Sequence, residues 1–89
     1  MIYLGFSVEQ MINFLNKNCR SFVLVKNDVK EMDGDFRLTV YSDEHGEYEG
    51  YGFLSRLVIE AFKPFVEQAK IERERNKKTL SEILNIAEY

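Results

Sequence analysis

Apolar side chains recur at Val8, Met11, Ile12 and Leu15, the three-four spacing that lines one side of a helix. Ser7 stands ahead of this stripe and Gln10 follows three residues later, a pair able to satisfy two free amides at a helix start. Phe6 and Met11 flank it as a hydrophobic staple. Asn16-Lys17-Asn18 offers the stop, so residues 7 to 18 are predicted as the first helix. From Arg20 the period changes. Phe22-Val23-Leu24-Val25 is an apolar run rich in β-branched residues, and Phe36, Leu38 and Val40 alternate with Arg37, Thr39 and Tyr41. These two strands are joined either by a tight turn at Asp33-Gly34 or by a longer loop from Asn27. A two-residue turn at His45-Gly46 defines the next hairpin. It sets Val40 opposite Tyr51 and Leu38 opposite Phe53, four apolar side chains on one face, and leaves Thr39, Tyr41, Tyr48, Gly50 and Gly52 on the other.

The longest apolar stripe runs through Leu54, Leu57, Val58, Ala61, Phe62, Phe65, Val66 and Ala69, a second helix that should cover the sheet. Pro64 lies inside it, which predicts a kink between Glu60 and Pro64 or two helices in near-continuation. Thr79 and Glu82 repeat the capping pattern, and Leu80, Ile83, Leu84 and Ala87 give a short third helix an apolar side. The pattern therefore predicts an α+β fold: a three-stranded antiparallel sheet packed by helices, in the order αβββαα. No repeat or linker divides the chain, and residues 1–89 are expected to form a single domain.

Composition adds a charge dipole to this picture. The 89 residues carry a net charge of only −3, yet positions 28–49 hold eight acids against Lys30 and Arg37. Positions 56–78 hold seven bases against four acids. Acids in turns and at strand ends are ordinary, because Asp suits hairpin loops and charge deters edge-to-edge pairing. A concentration of them also forms a surface for a basic protein partner, including one that grips nucleic-acid phosphates. The candidate partner-binding residues are Asp33, Asp35, Tyr41, Asp43, Glu44, Glu47, Tyr48 and Glu49. The bases at Lys70, Arg73, Arg75, Lys77 and Lys78 could meet nucleic acid only if freed from helical ion pairs such as Lys70 with Glu74 and Glu74 with Lys78. The net negative charge argues against that contact. The two apolar helical stripes exceed what a small sheet covers, which makes Leu57, Phe62, Phe65, Leu80, Ile83 and Leu84 a candidate homodimer interface.

Little in the chain points to catalysis or a cofactor. There is one cysteine and one histidine, and no Gly-rich phosphate loop, nucleophile elbow or paired histidines. Cys19 reads as a small apolar residue between helix and strand, and His45 as a turn residue. Alternating Asp43, His45, Glu47 and Glu49 suggest a hard cation, but Gly46 and the missing acid at the twelfth position defeat the calcium-loop pattern. The expectation is a non-enzymatic protein with no cofactor, no metal and no catalytic residue. With no apolar stretch of membrane-spanning length and no signal-peptide pattern at residues 1–6, a cytoplasmic location is expected.

Two local strings carry a resemblance. Val40-Tyr41-Ser42-Asp43-Glu44-His45-Gly46-Glu47-Tyr48 leads an acidic, Gly-containing turn into Glu-Tyr, and Ile59-Glu60-Ala61-Phe62-Lys63 follows on the second helix. With the αβββαα order they make positions 8 to 66 similar to the small acidic, prophage-encoded Cas9 inhibitors, the anti-CRISPR proteins. The basic C-terminal part departs from that family, whose members are acidic there. The resemblance implies an inhibitor acting in the cytoplasm of a bacterial host cell. Its carboxylates at Asp43, Glu44, Glu47 and Glu49 would occupy the basic groove of a Cas protein that otherwise receives DNA.

Overall fold

The computed structural model describes residues 2–86. Two strands of two residues each, β1 (Ile2–Tyr3) and β2 (Phe6–Ser7), form an antiparallel ribbon ahead of the first helix. The sequence pattern did not show this ribbon. Its turn is Leu4-Gly5, both at positive φ (52° and 87°), and a leucine there gives no turn signal of the Asn-Gly kind. Helix α1 (Val8–Asn18) then starts where predicted: Ser7 Oγ accepts from the Gln10 amide at 3.1 Å, and the Ser7 amide donates to Gln10 Oε1 at 2.9 Å. Phe6 and Met11, the two staple positions, are both fully buried.

Strands β3 (Ser21–Lys26), β4 (Phe36–Ser42) and β5 (Gly46–Gly52) form an antiparallel meander in that order, so the α+β architecture is as expected from α1 onward. The first hairpin takes the longer of the two connections. Asn27 organises its loop: Nδ2 donates to the carbonyls of Met32 and Gly34, and Oδ1 accepts from the Val29 amide. At Gly34 (φ +97°) a Cβ would lie 2.1 Å from Gly52 Cα, so this loop closes backbone-to-backbone on the end of β5.

The second hairpin corrects the predicted register. Its loop is Asp43-Glu44-His45, closed by the Ser42–Gly46 pair, and not a two-residue turn at His45-Gly46. Ser42 Oγ, buried, accepts from the His45 amide at 3.0 Å and stabilises the longer loop. Val40 therefore faces Tyr48 and Leu38 faces Gly50, where Tyr51 and Phe53 had been expected. The shift between the two registers is an odd number of residues, which moves every β5 side chain to the opposite face. Tyr48, Gly50 and Gly52 thus join Leu38 and Val40 on the packed side, and Phe53 is exposed.

Helix α2 (Leu54–Asn76) is one continuous helix through Pro64, not two in near-continuation. Pro64 sits on its exposed side, and the stripe Leu57, Val58, Ala61, Phe62, Phe65, Val66 and Ala69 is buried as predicted. Gly50 admits this helix closely, since a Cβ there would lie 2.9 Å from Leu57 Cδ2 and 2.5 Å from the Tyr48 hydroxyl oxygen. Helix α3 (Leu80–Leu84) begins at the Thr79–Glu82 capping box and packs on α2. Ala87, assigned by pattern to its apolar side, lies outside the described residues. One core joins all layers, with Phe62 at its centre: the rings of Tyr3, Phe6 and Phe14 meet it edge-on at centroid distances of 6.5, 5.8 and 5.3 Å.

That core corrects the expected dimer interface at four of its six residues, Leu57, Phe62, Phe65 and Leu84. Leu57 and Phe62 are fully buried within the single chain, Phe65 and Leu84 retain 8% exposure each, and Leu80 and Ile83 pack half-buried against the same cluster. The apolar surplus read from the two stripes is absorbed internally, because the N-terminal ribbon and α1 cover what the sheet alone would not.

Candidate functional site

All helical packing falls on one side of the sheet, and strand alternation assigns the residues of the other. Three cross-strand rows line this open face: Ser21, Tyr41 and Glu47; Val23, Thr39 and Glu49; Val25, Arg37 and Tyr51. Val23, Val25 and Tyr41 are 43%, 39% and 42% exposed, so the face is apolar along β3 and acidic along β5. Arg37 lies between Val25 and Tyr51, and its Nε is covered without a hydrogen-bond partner. At one end of the face Met32, Gly34, Tyr51, Phe53 and Arg56 line a shallow cleft of about 350 Å³. Phe53 and Met32 are exposed beside it.

The predicted partner-binding residues divide into four groups. Tyr41, Glu47 and Glu49 share the open face. Asp43 and Glu44 lie in the β4–β5 loop at one end of the sheet, where Asp43 is paired with Arg20 at 2.9 Å. Asp33 and Asp35 lie in the β3–β4 loop at the other end, with the seven residues of β4 between the two groups, roughly 20 Å of strand. The single acidic surface expected from the sequence is thus two separated ends and a strip along β5. Tyr48 is on the wrong side for a contact on the open face. Its hydroxyl donates to Glu60 Oε2 on α2 at 2.7 Å, and Arg56 Nε lies 3.5 Å from the same carboxylate. Burial first, then the Glu60 hydrogen bond and charge, pushes the Tyr48 phenol well above its ordinary pKa.

His45 does more than turn the chain. Its ring meets Phe65 edge-on at 4.5 Å and its Nε2 faces Glu44 Oε2 at 3.8 Å, so the loop is clamped to α2. Cys19 is half-buried, and burial with the nearby Glu44 charge raises its thiol pKa, which keeps it protonated and a poor nucleophile. Among the described residues no group of three or more His, Cys, Asp or Glu is placed to hold a metal ion. No described helix is long and apolar enough to cross a membrane.

The basic segment departs from its predicted pairing. Arg56 does pair with Glu60, but Lys70 pairs with Glu67 at 3.4 Å instead of Glu74. Lys78 lies past the helix end, where Lys77 takes a left-handed cap (φ 55°), and the Glu74–Lys78 pair does not form. Arg73, Arg75 and Lys77 have no carboxylate within 4 Å among the described residues.

Sequence reasoning missed Val23, Val25, Arg37, Tyr51, Met32 and Phe53 as members of a surface. The signal was present in β3, whose run is apolar at both parities when a strand packed on one face needs only alternate apolar positions. Against known proteins, the chain matches no protein-family model, no curated protein and no solved structure.

Proposed function

We propose that this chain is a non-enzymatic binding protein whose open sheet face and acidic β5 strip engage a basic surface of a partner protein. The observation that carries the reading is a whole sheet face left without helices, with Tyr41 and Tyr51 beside Glu47 and Glu49. Aromatic side chains supply contact area at low entropic cost, and the carboxylates steer a basic partner and fix its register. Exposed carboxylates contribute little to folding, so they can be changed without loss of the fold. The resemblance to anti-CRISPR proteins adds a partner class, a nucleic-acid-binding effector such as Cas9, whose DNA groove the acidic strip would occupy.

The test is competition. Purified protein is titrated into Cas9–guide complexes and other basic nucleic-acid-binding proteins, and displacement of labelled DNA is measured at low and moderate salt. Wild-type protein should displace DNA from at least one of them, and the Glu44→Lys, Glu47→Lys, Glu49→Lys triple variant should fail while keeping its circular dichroism spectrum. Displacement that survives the triple reversal discards the acidic strip as the binding surface. Asp43 is left intact because Arg20 already pairs with it.

A second reading has its own observation. Arg73, Arg75 and Lys77 lie at the end of α2 with no carboxylate within 4 Å among the described residues, a site for nucleic-acid phosphates. A gel shift with duplex DNA, single strands and RNA at low salt distinguishes the two, since this reading requires a complex that Arg73→Glu and Lys77→Glu abolish.

A further inference from the structure

Strand β3 is an unpaired edge. The Asn27 amide donates to the Asp35 carbonyl at 2.9 Å, which marks 27–35 as a hydrogen-bonded pair. Alternation along an antiparallel ladder then gives 25–37 and 23–39 the same character, and at the start of the strand the Tyr41 carbonyl accepts from the Arg20 amide at 2.8 Å. The amides and carbonyls of Phe22, Leu24 and Lys26 consequently point away from β4. No backbone or side-chain group among the described residues bonds them. The usual defences of an edge are weak here: between Ser21 and Lys26 there is no proline and no charge, only Phe-Val-Leu-Val. The core is also thin at this border. Phe22 and Leu24, on the packed face, are only half-buried, whereas their β4 neighbours Val40 and Leu38 are 4% and 0% exposed.

We infer that two copies of this chain join through β3, antiparallel about a two-fold axis at Leu24, into one continuous six-stranded sheet. A two-fold axis demands a self-complementary strand, and this register supplies one. Leu24 meets Leu24 of the second copy, and Phe22 meets Lys26, whose aliphatic stem can lie over the ring. Val23 stands opposite Val25 in the closer, non-hydrogen-bonded positions, so four valines merge into one stripe on the open face. At the two ends, Arg20 of each copy, which also pairs with Asp43 of its own chain at 2.9 Å, comes beside Asp28 of the other, so the guanidinium lies between two carboxylates where a parallel or slipped register would lose the second. The occupant is therefore a second copy, and the contact is independent of the α2 and α3 residues buried in the core.

Sedimentation of the purified chain from micromolar to millimolar concentration should show a monomer–dimer equilibrium. Val23→Lys with Val25→Lys places four lysines around the axis and should raise the dimer dissociation constant at least about tenfold, without changing the melting curve at dilutions where wild type is monomeric. Val23→Lys with Val25→Glu should restore the dimer, because the register sets the introduced lysine of one copy opposite the introduced glutamate of the other. In a Cys19→Ser background, Val23→Cys with Val25→Cys should oxidise to a species in which position 23 of one copy is linked to position 25 of the other, read by mass spectrometry. A wild-type monomer throughout the range overturns the inference. So does a dimer indifferent to the lysine pair, a Lys/Glu variant that stays monomeric, or a disulfide linking other positions.

Discussion

Tyr48 shows how one side chain can serve the fold while looking like part of a surface. It follows an acidic turn in the sequence, yet its ring lies along the glycine at position 50 and its hydroxyl reaches Glu60 at 2.7 Å. Replacing it by phenylalanine keeps the ring and removes one charge-assisted hydrogen bond at a half-buried position. Tyr48→Phe should cost about 1 kcal/mol at neutral pH by urea unfolding. The raised phenol pKa gives a second, signed expectation. The folded state holds the proton more tightly than the unfolded chain, so this contribution is complete below the ordinary tyrosine value of about 10 and is lost as pH rises beyond it. Wild type should lose stability faster than Tyr48→Phe above about pH 10. Parallel curves would assign the alkaline loss to other groups.

Helix α2 is the element whose sequence and structure differ most instructively. Proline removes an amide donor and clashes with the preceding turn, which predicts either a kink between Glu60 and Pro64 or two helices in near-continuation, and the second does not occur. Continuity from Leu54 to Asn76 is maintained because Leu57, Val58, Ala61, Phe62, Phe65, Val66 and Ala69 all bury on one side while Pro64 faces solvent. Tertiary packing of seven buried residues outweighs a local penalty of about 3 kcal/mol. Pro64→Ala restores the missing donor on the exposed side. It should raise stability by about 1–3 kcal/mol in thermal or urea unfolding with the fold unchanged. A variant no more stable than wild type would show that the helix has already relaxed around the proline.

At the scale of the whole molecule, Phe62 links the N-terminal ribbon, α1 and α2 through three edge-on ring contacts, and Phe14 continues the chain of rings to Phe65 and His45. Phe62→Ala should cost about 3–5 kcal/mol. Domains of this size hold roughly 5–15 kcal/mol in total, so a large share of the stability margin depends on this one ring. Circular dichroism and urea unfolding would show a partly unfolded or sharply destabilised variant. A loss below about 1 kcal/mol would mean that the three layers are held together elsewhere. The molecule extends 46 Å in its longest dimension and 18 Å in its shortest, and the end of α2 from Ile71 to Asn76 is exposed.

The amino-acid sequence by itself determined what depends on neighbours a few residues apart. Both capping boxes, the helical stripe of α2 and the three strands are legible because caps and periodicity act over one or two turns of chain. The register of β4 with β5 was not legible. It turns on a buried serine hydroxyl holding a three-residue loop, and an odd shift there reassigns Tyr48, Tyr51 and both glycines to new faces. The N-terminal ribbon escaped notice because its turn places a leucine at positive φ, a strain that core packing around Phe6 and Tyr3 offsets and no local pattern announces. The candidate surface was decided at the same level. Composition grouped the acids by their nearness along the chain, and the meander carried them to opposite ends of a sheet whose open face is defined only by where the helices pack.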